Sequence, residues 1–332
     1  MYMRKKSGLY VIHHPGLAYS PRTQKTLGEW LEFRFEPITG EKLRENLSIL
    51  SGVEIILSGW GGPLMDETFL EAAPRLEAVF YAAGSIRGIV TDAFWQRSIP
   101  ISSAWAANAI PVAEFTYAQI ILALKQAWRV SREMHQERLA PRHAGIGGVY
   151  DARVGIVGLG MIGRLVVERL KTLHVEIWAY DPGLTEEKAA ELGVHSAGLD
   201  ELFEACEVVS LHAPNLESTR GMITGAHLDR IPSGGAFINT ARGAVVREAE
   251  MIEVLQRRTD LFALLDVTDP EPPAADSPLY TMPNVVLTPH LAGSVGHECW
   301  RMGDYMLDEV GHYLHGRPLQ WQVTPEMFQT MA

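Results

Sequence analysis

Three residues late in the chain have the types needed for proton transfer and anion binding: Arg242, Glu271 and His290. Histidine moves protons near neutral pH, and a carboxylate against its second ring nitrogen fixes the tautomer and raises its pKa. The planar fork of Arg242, followed by Gly243, suits a carboxylate or a polarised carbonyl. Each of the three stands at or just past a predicted strand: Ala236–Asn239, Phe262–Asp266 and Val285–Thr288. In open parallel sheets the C-terminal strand ends border the ligand crevice. Taken singly, each has a plainer reading: Arg242 as a surface turn residue, Glu271 as part of a stiff Pro-rich loop, His290 as a structural side chain.

A second cluster lies upstream. The segment Val154-Gly155-Ile156-Val157-Gly158-Leu159-Gly160-Met161-Ile162-Gly163-Arg164 contains GxGxxG as Gly158, Gly160 and Gly163. It follows a predicted strand, Ala152–Val157, and opens a predicted helix, Met161–Leu173, which is the context such a loop needs. Gly158 permits the tight turn, Gly160 lets backbone approach a pyrophosphate, and Gly163 lets helix and strand pack closely. The helix start offers free N–H groups to the phosphates. Asp181 closes the next predicted strand, Val175–Tyr180, about twenty residues on, where a carboxylate meets the adenosine ribose. A carboxylate there repels a 2′-phosphate and no Arg stands beside it, so NAD is favoured over NADP. The alternative is a structural glycine turn with Asp181 as a helix cap.

The elements that position these residues alternate between short apolar runs and helical periodicity, the pattern of α/β folds with parallel sheets. Further strands are predicted at Leu9–His13, Val53–Leu57, Ala78–Tyr81, Ile99–Ser102 and Val208–Leu211. Helices are predicted at Pro21–Leu31, Asp66–Ala73, Thr185–Leu192 and Gly296–His315. A long apolar-periodic stretch, Val112–Leu139, reads as a bridging helix, and Ala140–Tyr150 reads as a loop. Two α/β halves imply a ligand cleft.

Composition narrows the function classes. The chain has 332 residues, 47% hydrophobic and 21% charged, the balance of a globular protein of about two domains. A formal net charge of -11 disfavours nucleic acid and anionic lipid as partners. Cys206 and Cys299 show neither disulfide-framework nor zinc spacing, which fits a reducing compartment. The start resembles no signal peptide and no run approaches about 18 unbroken apolar residues, so a cytoplasmic protein with no membrane partner is expected.

The segments around Arg242, Glu271 and His290, in that order behind the glycine fingerprint, resemble the D-isomer-specific 2-hydroxyacid dehydrogenase family. Ser210-Leu211-His212-Ala213-Pro214 with Thr219, Val112-Ala113-Glu114 and Gly316-Arg317-Pro318 extend the resemblance over nearly the whole chain. The resemblance implies NAD as cofactor and a small D-2-hydroxy or 2-oxo acid as substrate. It makes His290 the acid/base, Glu271 its partner, and Arg242 the holder of the substrate carboxylate. Cofactor contacts are implied for Gly158, Gly160, Met161, Ile162, Gly163, Asp181, His212, Pro214, Thr219, Thr240, Ala241, Asp266, His290 and Gly293, with Asp266 at the nicotinamide carboxamide. Ala83, Gly84 and Ser85 match the loop that binds the substrate carboxylate through backbone N–H groups.

The implied architecture is two doubly wound, Rossmann-like and flavodoxin-like domains. An NAD domain, 112–296, is inserted into a substrate domain, 1–111 plus 297–332, and residues 112–150 mediate a homodimer. A regulatory tail domain is not expected. The competing function is an NAD-binding sensor or corepressor-like protein that kept the fold without turnover.

The chain departs from the family pattern in places. Arg87 stands where many relatives are acidic; it either meets a second anionic group of the substrate or, as the better reading, points to solvent. Trp60 and Trp105 lie near predicted strand ends, where each either walls the pocket or, as the better reading, packs in the core. Val246-Arg247-Glu248 is expected to start a helix.

Overall fold

The central strands, such as Ile55–Ser58 and Ala78–Tyr81, form where apolar residues cluster, as parallel strands covered on both faces require. The computed structural model describes residues 4–138 and 145–331, so the first part of the expected Ala140–Tyr150 loop lies outside the described residues. The chain divides into two compact units, Met1–Ala109 with Ser294–Ala332, and Ile110–Gly293.

The first unit holds β1 (Lys6–Val11), β2 (Leu31–Phe33), β3 (Ile55–Ser58), β4 (Ala78–Tyr81) and β5 (Ile101–Ser103). They form one parallel sheet in the order β2-β1-β3-β4-β5, the flavodoxin-like arrangement. All four residues of β3 and of β4 are buried. One face packs on Leu43, Phe69 and Phe94, the other on Tyr19, Leu27 and Met302 of the late helix Glu298–Leu314. Gly303 makes that second packing possible, because a Cβ there would meet the Ala18 carbonyl oxygen at 2.1 Å. The segment after the late helix returns to this sheet: Val323 N–H donates to Ile101 O (2.9 Å), and buried Glu309 accepts from the N–H groups of Gln320 and Trp321.

The second unit holds β6 (Ala152–Val157), β7 (Val175–Tyr180), β8 (His195–Ser196), β9 (Val208–Leu211), β10 (Ala236–Asn239), β11 (Phe262–Leu265) and β12 (Val285–Leu287). Their order, β12-β11-β10-β9-β6-β7-β8, is all parallel and reverses between β6 and β9. This is the doubly wound Rossmann order with one more strand at the edge. The helix Glu248–Arg257 starts at the Arg247 cap, where a helix was expected.

One expectation is corrected, and two features go beyond the sequence reading. The stretch read as one helix from Val112 to Leu139 is two helices, Trp105–Leu124 and Ala127–Glu137. They part at Gln126, whose left-handed φ of 47° is supported by its side-chain bonds to Gly234 O and Arg129. Apolar periodicity runs through this point and so does not reveal the break. The helix Trp105–Leu124 is also long and apolar enough, by length and composition, to cross a bilayer, yet more than half of its span is buried inside the protein. Finally, the edge strands β2 and β8 were not foreseen, being too short to show alternation.

Candidate active site

At the switch point of the second unit the turn after β6 meets the turn after β9. Gly158 has φ +96°, and a Cβ there would meet the Ala213 nitrogen at 2.8 Å. His212 N–H donates to Val157 O (2.7 Å), which ties the two turns together. Gly163 lets the helix Met161–Leu170 close on the loop, since its Cβ would lie 2.0 Å from Gly158 O. At Gly160, by contrast, a Cβ would meet nothing within 4 Å, so the space above the loop is open.

No side chain caps the helix Met161–Leu170. Among the described residues, the N–H groups of Gly160, Met161 and Ile162 have no hydrogen-bond partner. Unpaired N–H groups over open space at a helix start fit a pyrophosphate. Asp181 accepts from Leu159 N–H (2.8 Å) and Gly183 N–H (2.9 Å), which fixes its carboxylate beside the glycine loop. These residues therefore fit a dinucleotide.

Other expected cofactor residues are engaged within the chain. Thr219 accepts from Leu216 N–H (2.9 Å) and donates to Pro214 O, bracing the loop after β9. The hydroxyl of Thr240 meets that of Thr116 at 2.9 Å, and Ala241 is buried. His212 is buried, with Nε2 2.9 Å from the Ser210 hydroxyl and Nδ1 without a partner among the described residues. Burial pushes its pKa down to about 3, so the ring is neutral. Gly293 is the last residue of the second unit.

The three charged candidates come from the ends of β10, β11 and β12, which are adjacent in the sheet. Asn239 shapes the first turn: its amide donates to Arg242 O (3.1 Å) and its oxygen accepts from Ala241 N–H (3.0 Å). Gly243 allows close approach to the β11 loop, because a Cβ would meet the Thr268 carbonyl carbon at 2.0 Å. Arg242 is half-buried and its guanidinium donates to Ala241 O (2.7 Å). Burial lowers its pKa while the Glu271 charge opposes that shift. A guanidinium stays charged throughout, so it offers a partly desolvated cation.

His290 Nδ1 lies 2.6 Å from Glu271 Oε1. Both side chains are partly open, 47% for His290 and 41% for Glu271, so Nε2 is left for another partner. His290 adopts the left-handed φ of 52°. Non-glycine residues hold that conformation only where surroundings enforce it, and it concentrates at functional sites. Asp266 supplies the enforcement. Its buried carboxylate accepts from the Thr288 hydroxyl (2.6 Å) and from Leu291 and Ala292 N–H (2.9 Å each), while its carbonyl accepts from His290 N–H (2.9 Å). The expected carboxamide contact of Asp266 thus competes with bonds its carboxylate already makes. Asn239 and Thr288 were not singled out in the sequence; a polar residue ending a buried apolar strand is the signal that marks both.

The residues Ala83, Gly84 and Ser85 belong to the first unit. Ser103 donates to the carbonyls of Ala83 and Gly84, which holds the loop from below. Among the described residues, the N–H groups of Gly84, Ser85 and Ile86 have no hydrogen-bond partner, so they are available to an anion. Arg87 does not point freely to solvent: it donates to Phe328 O (2.7 Å) and Met331 O (2.8 Å) and lies 4.8 Å over the Phe328 ring. Trp105 packs against the core as expected, but Trp60 does not: it is 39% exposed.

Comparison with known proteins places these features in a family. The model of the D-isomer specific 2-hydroxyacid dehydrogenase NAD binding domain matches residues 117–292. A D-3-phosphoglycerate dehydrogenase of Archaeoglobus fulgidus is 31% identical over 259 residues, covering 77% of this chain and 49% of that protein. The chain spans about half the length of the curated relatives it matches. Among solved structures, Rhodotorula graminis D-mandelate dehydrogenase has a TM-score of 0.81 at 20% identity, covering 96% of this chain and 97% of that one. The Aquifex aeolicus D-lactate dehydrogenase complexed with NAD and lactic acid has a TM-score of 0.73 at 24% identity, covering 93% and 96%. These two share the fold. With its NAD-binding domain matched over more than half of its length, the chain belongs to the D-isomer specific 2-hydroxyacid dehydrogenase family.

Proposed function

We propose that this protein is an NAD-dependent oxidoreductase acting at C2 of a small D-2-hydroxy or 2-oxo acid. The observation that carries the reading is the 2.6 Å pair of His290 and Glu271 on the strand ends beside Arg242. NAD, when bound, supplies or accepts the hydride at C2. Gly158, Gly160, Met161, Ile162, Gly163 and Asp181 would hold it, with the loop at His212, Pro214 and Thr219 alongside.

In reduction the substrate oxygen gains negative charge as C2 receives the hydride. His290 protonates that oxygen from Nε2, and Glu271 on Nδ1 stabilises the charged ring before transfer. In oxidation the same nitrogen takes the proton back. Arg242 pairs with the substrate carboxylate and polarises the carbonyl. Within the first unit, the N–H groups of Gly84 and Ser85, unpaired among the described residues, are suited to an anion such as a carboxylate. Asp266 keeps the His290 loop in its left-handed turn.

A cytoplasmic homodimer completes the proposal. The helix Ala127–Glu137 buries none of its residues and leaves Trp128 and Met134 exposed, apolar surface that a second copy would cover. Sedimentation of the purified protein at a monomer mass counts against it.

The activity is tested by following NADH, and separately NADPH, across a panel of 2-oxo acids. Turnover of NADH with at least one acid, and weak turnover of NADPH, is the expected result. Tight NADH binding without turnover of any acid removes the enzyme reading and favours a sensor.

A further inference from the structure

Within the first unit, the loop after β4 joins an anion-ready backbone to a cation that is turned elsewhere. The N–H groups of Gly84, Ser85 and Ile86 have no partner among the described residues. Arg87 follows them, and its guanidinium reaches backbone far along the chain: Nε donates to Met331 O (2.8 Å), and Nη2 donates to Phe328 O (2.7 Å) and to Met331 O. These carbonyls lie at the end of the helix Pro325–Thr330, where a last turn leaves oxygens without intrahelical donors. A planar cation satisfies two of them at once and meets the partial negative charge there. The guanidinium also lies 4.8 Å over the Phe328 ring, which in turn packs on Trp95 at 5.5 Å.

The same C-terminal segment supports the loop from below, through β5. The Ser103 hydroxyl donates to the Ala83 and Gly84 carbonyls, and Ser103 N–H donates to Trp321 O (3.2 Å). Ser102 forms an antiparallel bridge with Gln322. Its hydroxyl donates to buried Glu309, which also accepts from Gln320 and Trp321 N–H. Residues 320–331 therefore hold the loop at two places, at its base through Ser103 and at its far side through Arg87. Short bonds carry the second hold back to the free N–H groups. Arg87 N–H meets the Ser85 hydroxyl at 3.3 Å, and Ile89 and Val90 N–H donate to Ile86 O (3.0 and 3.2 Å).

We infer that Arg87 is a positioning residue. By clamping the helix Pro325–Thr330 to the loop after β4, it keeps the Gly84, Ser85 and Ile86 N–H groups in the arrangement that receives a substrate carboxylate, and it does not itself bind the substrate. This rests on the 2-hydroxyacid dehydrogenase reading. The test takes the full chain as wild type, Arg87→Ala and Arg87→Lys. It measures kcat and KM with NADH for glyoxylate, pyruvate, oxaloacetate and 3-phosphohydroxypyruvate, and amide hydrogen exchange of the three proteins without ligand.

Arg87→Ala should raise KM by about five- to tenfold for every acid the wild type reduces and leave kcat within about twofold, because a contact made equally in ground and transition states moves KM alone. Arg87→Lys keeps the charge but should recover little, since one ammonium does not span two carbonyls as the planar fork does. In both variants the amides of Ile89 and Val90 and those of residues 320–331 should exchange faster, by about fivefold or more. A KM rise confined to oxaloacetate and 3-phosphohydroxypyruvate, which carry a second anionic group, or full recovery in Arg87→Lys, makes Arg87 a substrate ligand and overturns the inference. Unchanged KM or unchanged exchange overturns it as well, while the dehydrogenase reading stands. If the wild type reduces none of the acids, the dehydrogenase reading falls, and the exchange rates alone decide whether Arg87 holds the loop. Arg87→Lys carries the test if Arg87→Ala does not fold.

Discussion

His290 and Glu271, nineteen residues apart in sequence, meet through Nδ1 and Oε1 at 2.6 Å, and the histidine does so from a left-handed backbone turn. The carboxylate both selects the tautomer and stabilises the charged ring. His290→Ala should lower kcat by roughly 10²–10⁴-fold, the range of general acid–base catalysis, while NADH affinity measured by fluorescence titration changes little. Glu271→Gln should cost less, since the neutral amide still meets Nδ1 but stabilises the imidazolium less. An unchanged kcat in Glu271→Gln would detach Glu271 from the proton transfer.

Asp266 is the anchor of that turn. Asp266→Asn leaves one acceptor oxygen for three donors, so a buried hydroxyl or N–H loses its partner. The variant should be less stable by about 1–3 kcal/mol in urea unfolding. Its kcat should fall together with stability as the His290 loop relaxes. Full activity in the folded variant would show that the loop holds without the carboxylate.

Acid should destabilise the second unit through His212. Burial lowers the pKa of this ring to about 3 in the folded state, whereas an unfolded histidine titrates near 6.5. Below about pH 6.5 the unfolded chain binds the additional proton, so stability falls as pH drops toward 3 and is flat with respect to this group above about 7. The contribution amounts to about 2 kcal/mol by pH 5. His212→Asn should flatten that part of the pH dependence, as read from urea midpoints at pH 7.5 and 5. An equal slope in wild type and variant would place the acid sensitivity elsewhere.

The sequence by itself determined the parallel α/β architecture and the dinucleotide loop, because both are written locally. An apolar run, a GxGxxG turn and a helical period lie within a few tens of residues of one another. Strands such as Ala152–Val157, Val208–Leu211 and Ala236–Asn239 were legible to the residue. The order of Arg242, Glu271 and His290 pointed to chemistry, but their approach did not follow from spacing. It depends on β10, β11 and β12 lying side by side, on Gly243 touching Thr268, and on Asp266 gathering the His290 loop.

Other features were decided only in three dimensions. The break at Gln126 rests on Gly234, 108 positions away. The fate of Arg87 rests on Phe328 and Met331, 241 and 244 positions away. Its neighbours in sequence left substrate and solvent both open, and only the return of the C-terminal segment to the first sheet supplied the carbonyls that hold it. Trp60 stands exposed in the loop after β3, beside the sheet's switch point, and strand order is a property of tertiary pairing that no local pattern encodes.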